Sequence, residues 1–183
     1  MSMFDDLDIP ADVLDSVQTG FALTEPQDAA IKGNIKEPGT GLATWAQVFT
    51  VEGSEITNAE DDADTRVVTV SFSIAADAVR STGPDPNAGR NLKQFYRITG
   101  AALADKNHKK RGKTMFDLGR LKSLVGGLGF DTSGQGLKLG LFFNGQQDGT
   151  PAFVVGKQIS TICQNSWYNG KKKTEITDFV ALS

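Results

Sequence analysis

The sequence predicts a mainly β domain: five strands rolled into a small barrel, with one helix between the third and fourth. Three observations carry this. Val68, Val70, Phe72 and Ile74 alternate with Val67, Thr69, Ser71 and Ser73, the period of a strand with one apolar face. Leu118, Leu121, Val125 and Leu128 recur at three- to four-residue spacing, the period of a helix face. Tyr168-Asn169-Gly170-Lys171 is a hairpin signal, because Asn-Gly suits the positive φ angles of a type I′ turn.

At 183 residues the chain has room for one domain, or one domain with an extension. A hydrophobic share of 39% and a charged share of 22% allow a packed core and argue against wholesale disorder. Residues 1–27 read as an acidic N-terminal extension, flexible or docking, and 28–183 as the folded domain. A short helix over Ala11 to Val17 is an option within an arm that frays or docks rather than forms core. Ala29 to Lys36 reads as a strand, turned by Pro38-Gly39-Thr40-Gly41, and Trp45 to Val51 as another.

Glu52 to Asp64 is acidic and aperiodic, so it is expected to be an irregular loop. Arg66 to Ala75 is the clearest strand. Ser81 to Arg90 reads as a loop and Leu92 to Thr99 as a strand. Thr114, followed three residues later by Asp117, has the pattern of a capping box opening the helix, and Gly126, Gly127 and Gly129 stop it. Residues 131–151 read as a linker or loose hairpin around Leu139 to Phe143. Phe153 to Trp167 forms a long strand, bent or bulged because its apolar residues change parity, and Thr174 to Leu182 its partner. This order, with a helix between strands three and four, is that of a five-stranded OB-fold barrel; a β-sandwich with one helix or another α+β fold remains open.

The net charge of −3 conceals a split. Residues 1–64 hold 14 Asp and Glu against Lys32 and Lys36, a local charge of −12; residues 65–183 hold 17 Lys and Arg against 8 Asp and Glu, or +9. The basic part is expected to face a polyanion, unless the two parts neutralise each other within the fold. One cysteine, Cys163, and one histidine, His108, exclude a disulfide framework and a thiolate-rich zinc site. No run of about 18 apolar residues is present, which excludes a transmembrane helix. The N-terminus lacks a secretory pattern, so the expected location is cytoplasmic, with no membrane partner.

Three constellations bear on function. Lys93, Phe95 and Arg97 share one strand face while Leu92, Tyr96 and Ile98 take the other. An exposed ring between two cations offers a base a stacking surface and its phosphates a counter-charge. Trp167 and Tyr168 precede the Asn-Gly turn, and Lys171, Lys172 and Lys173 follow it, at a loop that grips oligonucleotides in OB barrels. Lys106, Lys109, Lys110, Arg111 and Lys113 form a basic loop, which is a phosphate site or simply a solvated surface. Trp45 is a further candidate for stacking.

Catalytic signals are weak. No phosphate-binding loop, His pair or Cys pair occurs, and no cofactor is implied. Asp61, Asp62 and Asp64 are the one carboxylate cluster to which a divalent metal, and a nuclease reaction, can be assigned. No resident metal is expected.

These pieces resemble the phage-encoded single-stranded-DNA-binding proteins of the OB-fold type. The resemblance spans Ala29 to Leu182. It rests on Lys93-Gln94-Phe95-Tyr96-Arg97, the helix with Gly119-Arg120-Leu121-Lys122-Ser123-Leu124, Phe153-Val154-Val155-Gly156-Lys157, and the Asn169-Gly170 hairpin leading to Thr174-Glu175-Ile176-Thr177-Asp178-Phe179. It implies coating of single-stranded DNA in replication, recombination or repair, without sequence preference or catalysis. It also implies an acidic tip that recruits replication or recombination proteins; here Phe4, Asp5, Asp6 and Asp8 look like that tip moved to the N-terminus. The arm is then expected to compete with DNA, so that deleting residues 1–16 raises affinity. Two other classes compete: a structural or virion protein whose charge halves pair between subunits as a homo-oligomer, and the metal-dependent nuclease.

Overall fold

The computed structural model describes residues 8–17, 44–80, 83–85 and 87–181; among these, the side chains of 44, 45, 80, 165–168 and 171–173 lie outside the description. In chain order the elements are β1 (Asp8–Ile9), α1 (Ala11–Asp15), β2 (Thr44–Asn58), β3 (Thr65–Ser73), β4 (Val79–Arg80), β5 (Gly83–Pro84), β6 (Asn91–Thr99), α2 (Gly100–Ala104), α3 (Arg111–Gly127), β7 (Leu137–Lys138), α4 (Leu139–Phe143), β8 (Gln158–Tyr168) and β9 (Lys171–Val180). Ala29 to Lys36, expected to be a strand, lies outside the described residues.

The long strands form one antiparallel sheet in the order β6-β3-β2-β8-β9. It is rolled. Phe72 on β3 packs its ring 5.6 Å from Phe49 on β2 and 5.8 Å from Phe179 on β9. Three strand spacings separate β3 from β9, about 14 Å in a flat sheet. Only coiling brings those two rings together. The edge strands β6 and β9 are not hydrogen-bonded to each other, so the sheet is open where a closed barrel was expected.

Helix α3 packs against both edges. Leu118, Leu121, Leu124 and Val125 are wholly buried, as their spacing predicts. The helix starts at Arg111, however, three residues before the expected cap at Thr114, and no side chain caps it. Thr114 and Asp117 are used elsewhere. Arg97 N–H donates to Asp117 Oδ2 at 2.7 Å, and Thr99 N–H to Thr114 Oγ1 at 3.2 Å. The edge of β6 thereby finds acceptors on a helix instead of a sixth strand, which blunts its tendency to pair with another chain. The helix closes with paired bonds, Phe130 N–H to Val125 O and Gly129 N–H to Gly126 O, Gly129 having φ +93°.

Three further expectations need correction. Glu52 to Asn58 is strand rather than loop: it pairs with Arg66 to Ser71 beyond a bulge between Val51 and Gly53. The irregular acidic loop is only 59–64. Leu139 to Phe143 is a short helix that buries Leu139, Phe142 and Phe143, not a hairpin. Residues 153–156 turn and β8 starts at Gln158; its predicted irregularity is real, with register shifting between Ile162 and Cys163. Both of those residues are buried, which explains the parity change. The Asn169-Gly170 turn has φ of 50° and 72°, as the hairpin signal requires.

The arm around α1 does more than dock. Ile9, Leu14 and Val17 belong to the core, β1 pairs with β7, and Lys122 Nζ donates to Leu14 O at 2.9 Å. Gly136 makes this approach possible: a Cβ there would stand 2.4 Å from Ile9 O. Isolated apolar residues between acids gave no period, so their burial was not legible.

Candidate nucleic-acid interface

Strand β6 sorts its side chains as alternation predicts. Tyr96 and Ile98 are buried, while Phe95 is 61% exposed with Lys93 and Arg97 on its own face. Across the ladder Phe95 pairs with Thr69, which faces Glu55, and Lys93 pairs with Ser71, which faces Gly53. On the buried face, Tyr96 is held neutral: burial pushes its phenol pKa far up, and among the described residues its Oη has no hydrogen-bond partner.

The basic residues are less free than the sequence implies. Arg97 Nη2 lies 2.6 Å from Asp61 Oδ1, and Lys110 Nζ pairs with Asp62. Asp62 also accepts from Thr65 Oγ1 at 2.7 Å and from Asp64 N–H at 3.0 Å, while Asp64 Oδ2 accepts the Ala101 N–H at 2.8 Å. These bonds pin the 59–64 loop against the β6–α2 corner. The hydrogen bond from Arg97 holds the Asp61 carboxyl below the usual carboxylate range, and that from Lys110 does the same, more strongly, for Asp62. Both stay charged at neutral pH. Part of the charge split is thus neutralised inside the chain.

Asp61, Asp62 and Asp64 each serve a different protein partner. Among the described residues no three His, Cys, Asp or Glu side chains gather as a metal site requires. Of the basic loop, Lys106 and Lys109 are exposed. Lys113 Nζ pairs with Asp117 at 2.8 Å, and Arg111 Nη1 donates to Ala102 O and Leu103 O, both at 2.7 Å, as a strut for the end of α2. His108 Nδ1 accepts the Lys110 N–H, a turn-forming role.

In the backbone ladder Trp45 pairs with Cys163, Trp167 with Lys172, Tyr168 with Lys171 and Ser166 with Lys173, so the three lysines open β9 rather than sit on the turn. The side chains of Trp45, Trp167, Tyr168, Lys171, Lys172 and Lys173 lie outside the described residues, as do Phe4, Asp5 and Asp6. Asp8 is exposed at the start of β1. The sequence reading passed over Phe116, which is 54% exposed on α3, with the Arg120 guanidinium 4.8 Å from its ring centre. Its signal was present: Phe116 lies about 200° around the helix from Leu118, off the apolar stripe. A cavity of about 250 Å³ is lined by Gln47, Phe49, Asn87, Arg90 and Leu92, among others.

Among the described residues no helix is long and apolar enough to cross a membrane. Compared with known protein families and with curated proteins, the chain matches none.

Proposed function

We propose that the chain is a non-catalytic, OB-fold-like single-stranded-DNA-binding protein that takes its strand across the outer face of β3 and β6. The observation that carries this reading is Phe95, a large ring 61% exposed on a strand face between Lys93 and Arg97. An exposed aromatic flanked by cations meets what a flexible polyanion with stacking bases presents. The sheet order supports the fold: numbered along the chain, the five long strands run three-two-one-four-five, the sequence an OB barrel follows, and the coiling brings the outer members toward one another. The cytoplasmic setting and the role in replication, recombination or repair belong to this same proposal, as does recruitment of other proteins through the acidic N-terminus.

The test is fluorescence anisotropy of a labelled oligo-dT across salt concentration. If about five phosphates are neutralised, log K falls against log salt with a slope near −3.5, at about 0.7 per phosphate for single strands. Binding that ignores salt contradicts the reading, as does its absence.

The 59–64 loop adds a second expected result. Asp61 and Asp62 hold Arg97 and Lys110 where phosphates would sit. Neutralising both as Asp61→Asn with Asp62→Asn is expected to tighten oligo-dT binding up to about five-fold at low salt, since exposed ion pairs are individually weak. The gain should vanish at high salt, where such pairs are screened. Weaker binding would mean the loop serves to present these cations rather than to occupy them.

A further inference from the structure

The face that carries Phe95 does not end at the edge of β6. Asp117 on α3 accepts the Arg97 N–H through Oδ2 and the Lys113 ammonium through Oδ1, 2.7 and 2.8 Å away. Lys113 Nζ in turn lies 5.9 Å from the centre of the Phe116 ring, and Arg120 covers that ring at 4.8 Å. One carboxylate therefore joins the Lys93-Phe95-Arg97 set on the strand to a second set, Lys113-Phe116-Arg120, on the helix. The second repeats the first in chemistry: a ring more than half exposed, with a cation on either side in sequence.

We propose that Phe116, with Lys113 and Arg120, is a second stacking platform for the same single-stranded DNA, which crosses the edge of β6 from the sheet onto α3. This rests on the reading of the Phe95 face as a nucleic-acid site. Several physical points favour it. Leu118, Leu121 and Leu124 already supply the helix's buried stripe, so Phe116 is not needed for the core. Its neighbours Gly112 and Gly119 carry no side chains that could cover it. Arg120 over the ring adds a cation–π contact and places a charged group beside the exposed aromatic surface. The carboxylate that Lys113 meets, Asp117, is buried and already accepts two hydrogen bonds. The consequence is a site longer than the sheet alone provides, within the range of about 4–16 nucleotides that single OB folds take.

Length dependence separates the platforms. Phe116→Ala and Phe95→Ala are compared with the unmodified full chain by anisotropy, using dT5 and dT15. Loss of one stacking ring costs about 1–3 kcal/mol, or roughly 5- to 150-fold in affinity. Phe116→Ala is expected to weaken dT15 binding at least five-fold and leave dT5 nearly unchanged, whereas Phe95→Ala weakens both. Phe116→Trp should retain dT15 affinity and add indole fluorescence that dT15 quenches. If Phe116→Ala leaves dT15 unaffected while Phe95→Ala weakens it, the helix platform is wrong and the sheet site stands. Equal loss on both lengths also overturns it, because the ring would then belong to the first site. If the unmodified chain binds neither oligomer, the nucleic-acid reading fails first and the platform with it.

Discussion

Leu14→Ala is expected to lower the stability of the folded chain by about 2–5 kcal/mol, the cost of a large-to-small change at a closed core position. For a chain of this size that shifts the melting temperature by about 4–20 °C, at roughly 2–4 °C per kcal/mol. Leu14 has 0% exposure although it sits in a helix of only five residues. Such a helix does not form alone; it exists because Leu14, with Val13 packed beside it, enters a core built by other elements. Lys122 clamps the helix end, and β1 fixes its entry by pairing with β7. Thermal unfolding followed by circular dichroism measures the effect. A shift below 2 °C would mean that the arm adheres to a core complete without it. The same packing changes how the acidic arm should be tested as a competitor for DNA. Deleting residues 1–16 would remove Ile9 and Leu14 together with the charges, so a change in affinity would not report on charge alone. Neutralising Asp5, Asp6 and Asp8 leaves those apolar residues in place.

What was legible in the sequence follows from how strongly local pattern determines structure. Val68 to Ile74 and Leu118 to Val125 each bury one face, so their periods survive in the sequence and their elements were readable. The Asn169-Gly170 turn was readable for another reason, its backbone angles being open to few residue types. Glu52 to Asn58 was not readable. Its only large apolar residue is Ile56, and its strand conformation is imposed by the ladder with β3. The same holds for Leu139 to Phe143, where helix and strand are equally compatible with a short apolar run, and burial decides. Thr114 and Asp117 show a subtler limit. Their spacing matches a capping box, but a nearby strand edge with free N–H groups competes for the same oxygens and wins. The candidate site followed suit: alternation placed Lys93, Phe95 and Arg97 on one face, while the pairing of Arg97 and Lys110 with Asp61 and Asp62 required residues more than 30 positions apart to be brought together.

Phe95→Ala is expected to weaken oligo-dT binding by about 5- to 150-fold, the range for loss of one base-stacking ring. It should do so without unfolding the chain. At 61% exposure the ring has little apolar area to lose, and surface changes of this kind usually stay within about 0.5 kcal/mol. This separation between affinity and stability gives the substitution its diagnostic value. A residue kept for the core would show the reverse, a large shift in melting temperature. Phe95→Trp should preserve affinity, because the larger indole stacks at least as well, and its emission should fall when a thymine oligomer binds. Phe95→Leu keeps the apolar surface but removes the π face, so it should behave like the alanine variant if stacking is the interaction, and like the unmodified chain if simple apolar contact is enough. The salt slope offers a further check: a ring contributes no counterion release, so Phe95→Ala should displace the log K line downward and leave its gradient unchanged. A changed gradient would mean that the substitution had moved Lys93 or Arg97 away from the phosphates, and that the ring orders the cations rather than holding a base.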